Sequence, residues 1–272
     1  MLNYKCSAVL CSATQPEFNR FFKKEIIEIC ENKKELFDQL NRVKIVYQKD
    51  QTIEWLSEEM NKQEQCLMVV NTKKMARELY QKLKGNEGNY HLSTYMCPIH
   101  RRMVIEAIKD RLQKGQSCKV VSTNLVEAGV DFDFPMVFRE LAGLDSIIQA
   151  AGRCNRERRL SEGKVIVFTI VQDQIMAKKT PAEDYLQRQK ILTKEIFENY
   201  ENVCTLEAIS VYYNKLYDNY GEQALDYKQI LEMINEEKSF KFPLKTIGEA
   251  FKLIDEESCT VLVKYNDEAE GL

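Results

Sequence analysis

The chain has 272 residues, 44% of them hydrophobic and 30% charged, with ten glycines and five prolines. This is the composition of a folded protein of one or two cored domains, and it excludes a disordered one. A formal net charge of −3 and a pI near 5.7 exclude a general nucleic-acid coat, so any nucleic-acid contact must be local, in a groove with its own basic residues.

Nine cysteines stand without a C-x-x-C pair, and the two histidines, His91 and His100, are too few for a His-rich metal site. The thiols are therefore expected to be reduced and mostly core-filling. No apolar run is long enough for a secretion signal or a membrane span, so a cytoplasmic location without membrane contact is expected.

From residue 43 strands and helices alternate. "KIVYQ" (44–48) predicts a strand and 52–61 a helix. "CLMVVN" (66–71) is the continuous apolar run of a parallel strand buried on both faces. It leads into a helix with Met75, Ala76, Leu79, Tyr80 and Leu83 in one stripe, Asn71 or Thr72 as its cap, and Gly85 near its stop. "HLSTYM" (91–96) predicts a strand and 99–114 a helix ending near Gly115. "CKVVST" (118–123) and "MVFREL" (136–141) predict strands, 145–158 a helix, and "KVIVFTI" (164–170) a last strand. The result is an α/β fold, a parallel sheet with helices on both faces, whose ligands belong at the carboxyl ends of the strands. Beyond residue 175 the chain reads as mostly helical, with one short strand, "TVLVKY", near the end. The tyrosines of that region suit core and interface positions better than base stacking.

Two stretches carry chemistry. "QAAGRCNRERR" (149–159) gathers Arg153, Arg156, Arg158 and Arg159. On the predicted helix, Gln149, Arg153 and Arg156 share a face, Gly152 permits a close approach, and Asp145 or Ser146 caps the start, Ser146-x-x-Gln149 fitting a capping box. Clustered guanidinium groups suit a phosphate. Attraction to the negative end of the helix is the plainer reading, and it is preferred for Arg158 and Arg159. Upstream, "STNLVEAGVDFDF" (122–134) places hydroxyls, Gly129 and Asp131 at a strand end, a set suited to a phosphate and a ribose.

Together these stretches resemble motifs V and VI of superfamily 2 helicases. Q-x-x-G-R-x-N-R is most similar to the nuclease-helicase of type I CRISPR–Cas systems. "CSAT" (11–14) is similar to motif III of those enzymes, "VVNTKKMARELYQKL" (69–83) to motif IV, "LSTYMCPIHRR" (92–102) to the segment between motifs IV and V, and "FKLIDEESCTVLVKY" (251–265) to the start of their accessory region.

The resemblance implies RecA-like architecture, with ATP held between two such domains and Mg2+ held by the first. It implies that Arg156 is the arginine finger with Arg153 beside it, that Asp131 touches the ribose, and that Gly129, Gln149 and Gly152 line the nucleotide. Thr72 and Thr123 would hold phosphates of single-stranded DNA, while Ser12 and Thr14 would couple nucleotide state to domain closure. Arg101 reads equally as a DNA-phosphate contact and as a solvated helix start. The implied limits are 1–42 for the end of the first RecA-like domain (motif III strand and following helix), 43–174 for the second, and 175–272 for an incomplete helical accessory region. The implied partners are single-stranded DNA, an N-terminal helicase/nuclease half and the guide-RNA surveillance complex of CRISPR interference.

No G-x-x-x-x-G-K-[ST] is present, Gly163-Lys164 being followed by valine at the start of a strand. Asp255 and Glu256 of "LIDEES" lie after motif VI and read as exposed charges, and two histidines cannot furnish an HD nuclease. Cys154 reads as a space filler. The chain is thus expected to begin inside the first RecA-like domain and to be inactive alone. The alternative is a catalytically inactive remnant that binds DNA or a protein. An RNA helicase is disfavoured by Asn155 and by "VEAGVDFDFP". The purified chain alone is expected to hydrolyse no ATP; turnover that disappears in Arg156→Ala would overturn this.

Overall fold

The computed structural model describes residues 9–12, 14, 26–39, 42–85, 87–127, 129–171, 181–225, 228–235 and 243–251. The chain divides into two compact units, residues 1–213 and 214–272. In the first unit, α1 (Lys33–Gln39) precedes an alternation of β1 (Val43–Gln51), α2 (Ile53–Asn61), β2 (Gln65–Val69), α3 (Lys73–Lys82), β3 (Asn89–Leu92), α4 (Pro98–Gln113), β4 (Cys118–Ser122), β5 (Met136–Glu140), α5 (Leu144–Ala151) and β6 (Gly163–Ile170). Two longer helices follow, α6 (Pro181–Asn199) and α7 (Leu206–Leu225), the second beginning in this unit. The second unit contains α8 (Ile230–Asn235) and α9 (Leu244–Ala250), with the Lys228 ammonium donating to the Ala250 carbonyl at 2.9 Å. The strand expected over 260–265, and Asp255 and Glu256, lie outside the described residues.

All six strands run parallel in the order β1-β6-β5-β2-β4-β3. Alternation along β2 explains how one sheet takes helices on both faces. Leu67 and Val69 join Ile108, Ile147 and Ala150 of α4 and α5, while Cys66 and Met68 join Leu56, Met60, Met75 and Leu79 of α2 and α3. Helix starts follow from local chemistry: the hydroxyls of Thr52 and Thr72 accept from the Trp55 and Met75 amides at 3.2 Å. Pro98 occupies the first turn of α4.

Three expectations need correction. The strand placed at 91–96 is β3, two residues earlier, because Ser93 closes a turn by accepting from the amides of Tyr95 and Met96. The helix placed at 145–158 is α5 and stops at Ala151. Its start is Gly143, not Asp145 or Ser146. It stops because the backbone beyond it has another partner: the Phe134 amide donates to the Arg153 carbonyl and the Asn155 amide to the Phe134 carbonyl, both at 2.9 Å. Arg153 and Arg156 therefore sit on a turn, and the shared helical face with Gln149 does not exist. In the motif III segment, residues 9–12 and Thr14 are in neither strand nor helix.

Every described cysteine is free. Burial pushes the thiols of Cys66, Cys118 and Cys154 up to about 12. At pH 8 these three are held as thiols, so iodoacetamide should spare them in the native chain and label them after denaturation. Exposed Cys11 serves as the comparison, and native labelling of Cys154 at the rate of Cys11 would contradict the packing.

Candidate functional site

The chain between β4 and β5, and the turn after α5, form the site. After Ser122 the backbone leaves the carboxyl edge of the sheet through a 3-10 turn at Asn124–Val126 and runs toward the start of β5, passing Gly129. Gly129 has φ +74°, a left-handed conformation that glycine adopts without strain. Asp131 and Asp133 follow, just before β5 begins. Helix α5 starts beyond the end of β5 and carries the chain back the same way. Its trailing turn lies against the first residues of β5 and β6, where the Cys154 thiol faces the carbonyls of Pro135 and Lys164 at 3.5 Å.

Arg153 and Arg156 have different surroundings on that turn. The half-buried Arg153 guanidinium donates from Nε to the Val126 carbonyl at 2.9 Å and from Nη2 to the Glu127 carbonyl at 2.6 Å. It ties the loop after β4 to the turn after α5. Arg156 is exposed and pairs through Nη2 with the exposed Asp131 carboxylate at 2.9 Å, while its amide donates to Asp133 Oδ1 at 2.6 Å. Arg42 donates to the Gly152 carbonyl at 3.4 Å. Burial first, then the nearby charges of Arg156 and Arg158, lower the Arg42 guanidinium from its ordinary value. Burial and Arg156 do the same to Arg153. Arg42 and Arg153 thus lie close enough to Arg156 to be repelled by it, with the carboxylates of Asp131 and Asp133 opposing that repulsion.

Asn155 shapes the turn. It is 2% exposed with φ +46°, donates from Nδ2 to the carbonyls of Arg42 and Leu160, and accepts from the Leu160 amide at 3.0 Å. Gly163 must be small here, since a Cβ would lie 2.7 Å from both Asn155 Cβ and Cys154 Sγ.

Thr72, Thr123 and Arg101 occupy the opposite edge. Val69, Ser122 and Leu92 stand in register on β2, β4 and β3, so Thr72 and Thr123 follow neighbouring strand ends, and Arg101 lies in the opening turns of α4. Thr72 is exposed and Thr123 is 6% exposed. A five-residue strand such as β5 separates the two edges by about 17 Å, so Arg156 is not at the carboxyl edge where ligands were expected. Ser12 donates to the Thr14 carbonyl at 3.2 Å, and the buried Thr14 hydroxyl shares a 3.0 Å hydrogen bond with Tyr213. A cavity of about 310 Å³ lies at the ends of β1, β5 and β6 beneath α6, bordered by Asp50, Glu140, Thr169, Lys190 and Lys194. None of the expected site residues lines it.

One set of residues was not anticipated. Arg139, inside β5, is 2% exposed. Its Nη1 donates to Asn71 Oδ1 at 2.9 Å and to the Glu140 carbonyl at 2.7 Å; its Nη2 donates to Ser146 Oγ at 2.7 Å and lies 3.1 Å from Glu127 Oε1. Ser146, expected as a cap, instead donates to Glu127 at 2.6 Å. Burial raises the Glu127 carboxyl more than Arg139 lowers it. The signal in the sequence was the adjacent pair Arg139 and Glu140 in the otherwise apolar "MVFREL" run, charges that a buried strand tolerates only with partners.

Among the described residues, no group of three His, Cys, Asp or Glu side chains is placed to hold a metal ion, and no helix is long and apolar enough to cross a membrane.

Comparison with known proteins finds similarity over part of the chain. Residues 62–159 match the family model described as CRISPR-associated nuclease/helicase Cas3, C-terminal. A CRISPR-associated nuclease/helicase Cas3 from Haloferax volcanii is 30% identical over 183 residues, covering 60% of this chain and 19% of that protein. One from Methanothermobacter thermautotrophicus is 32% identical over 113 residues, covering 40% of this chain and 14% of that protein. The chain thus spans under a fifth of the length of these relatives. The crystal structure of T. fusca Cas3-ADP superposes with a TM-score of 0.53 at 19% identity, over 77% of this chain and 27% of that one, supporting the RecA-like fold.

Unequal roles for the two arginines make a stability prediction. Arg153→Ala removes two charged hydrogen bonds to carbonyls and should cost about 2 kcal/mol in urea unfolding. Arg156→Ala removes an exposed pair and should cost under about 1 kcal/mol. Equal losses would contradict this division.

Proposed function

We propose that this chain supplies the second RecA-like half of an ATP-dependent motor on single-stranded DNA, a reading supported by the match of residues 62–159 to the Cas3 C-terminal family model. The observation that carries this reading is the exposed Arg156 guanidinium, resting on Asp131 at 2.9 Å on a turn that already concentrates positive charge. A nucleotide phosphate offers Arg156 a stronger partner than an exposed carboxylate, and its arrival frees Asp131 for ribose hydroxyls. Arg153 holds the loop bearing Gly129 and Asp131 against this turn, and Gln149 and Gly152 are assigned to the nucleotide on resemblance alone. The arginines fit the phosphate end of ATP. Mg2+ would be held by acidic residues of a partner RecA-like domain and would supply charge neutralisation at the phosphates.

Thr72, Thr123 and Arg101, at the carboxyl edge, suit phosphates of a DNA strand, with Thr72 and Thr123 bringing hydroxyls to neighbouring strand ends. Ser12 and Thr14 are the contact through which nucleotide state reaches this half. Residues 43–174 are the proposed limits of the domain, with 1–42 the end of the preceding one and 175–272 accessory. An N-terminal helicase/nuclease half and a guide-RNA surveillance complex are the proposed partners, on family grounds.

The test is hydrolysis of ATP by this chain mixed with an N-terminal RecA-like half bearing a P-loop, with and without single-stranded DNA. Turnover is expected only in the mixture, with Arg156→Ala lowering kcat by about 10³-fold. A mixture that associates yet stays inactive would rule the reading out.

A further inference from the structure

The two edges of the domain are joined by one continuous set of hydrogen bonds. Asn71, immediately before Thr72, accepts from Arg139, and its own amide and side chain donate to Glu140 Oε2 at 2.8 Å and to the Leu141 carbonyl at 2.9 Å. Arg139 reaches Glu127 both directly and through Ser146. Glu127 is the pivot: its carboxylate belongs to Arg139, and its backbone carbonyl accepts from Arg153. Arg153 in turn begins the turn that carries Arg156. Each link is shorter than 3.2 Å, and Arg139 is walled off from solvent.

We infer that Arg139 is a positioning residue which, through Asn71, Glu127 and Arg153, makes the DNA-facing edge and the Arg156 turn move as one body. This rests on the proposed motor function for its consequence, but not for its geometry. The guanidinium has few ways to relax. It lies in a strand of a close-packed sheet, so a displacement of the Asn71–Thr72 backbone shifts its acceptors, and the nearest groups able to follow are Glu127 and Ser146. Spatial continuity alone is not coupling, and the variants below separate the two.

Asn71→Ala and Ser146→Ala each delete one acceptor of Arg139 and leave its others in place; Ser146→Thr keeps the hydroxyl. Amide hydrogen exchange is followed in the full chain, and ATP turnover in the mixture with the N-terminal half. In Asn71→Ala the amides of Asn155 and Arg156 should exchange at least tenfold faster, while those of Met68 and Val121 in the sheet stay within twofold. In the mixture, both alanine variants should keep basal turnover within twofold and lose at least tenfold of the DNA stimulation, with Ser146→Thr behaving as the parent. Unchanged exchange at Asn155 and Arg156, or uniform acceleration through the sheet, overturns the inference. So does an equal fall in basal and stimulated rates. If the parent mixture shows no turnover, the motor reading fails while the exchange data still decide the coupling.

Discussion

A guanidinium placed inside an all-parallel sheet is the constraint on which the rest of this domain depends. Arg139 cannot shed its charge, and strand β5 offers it no water. Folding must therefore bring acceptors from other elements: Asn71 after β2, Glu127 after β4, and Ser146 in α5. Those three segments follow three different strands. Satisfying one buried cation fixes their mutual placement more tightly than apolar packing, which tolerates sliding, would do alone.

The strand order makes this placement informative. The connection after β2 departs toward β3, and that after β5 departs toward β6, so the crevice between β2 and β5 is the point where the winding reverses. In open α/β sheets such a crevice commonly receives a ligand. Here the crevice is filled from within by Arg139 and its acceptors. The anion-attracting arginines lie at the other end of the strands, on the turn that Phe134 and Asn155 pin in place.

Much of the fold was legible from local chemistry. Of Asn71 and Thr72, both read as possible caps, Thr72 is the one that starts its helix, and the apolar runs at 66–71, 118–123 and 136–141 marked central strands within a residue or two. Motif wording singled out Gly129, Asp131, Arg153 and Arg156, and the structure brings their segments together. The end of α5 was not legible, because the competitor for the Arg153 and Asn155 backbone is Phe134, some twenty residues away in sequence; helical periodicity carries no trace of that pairing. The division between a bracing Arg153 and an exposed Arg156 was hidden for the same reason. Ser146 and Gln149 satisfied a capping pattern, yet Glu127 and Arg139 offered Ser146 a partner that the pattern could not see.

The sheet's outer strand has a further consequence. Among the described residues strand β1 pairs only with β6, and Val43 stands opposite Gly163, 120 positions later in the chain. On the ribosome, at about 5–20 residues per second, β1 would wait roughly 6–24 s for this hydrogen-bonding neighbour. During that interval its backbone donors and acceptors are open to other nascent chains. Of the six strands of this sheet, the one made earliest is enclosed only when the one made latest arrives.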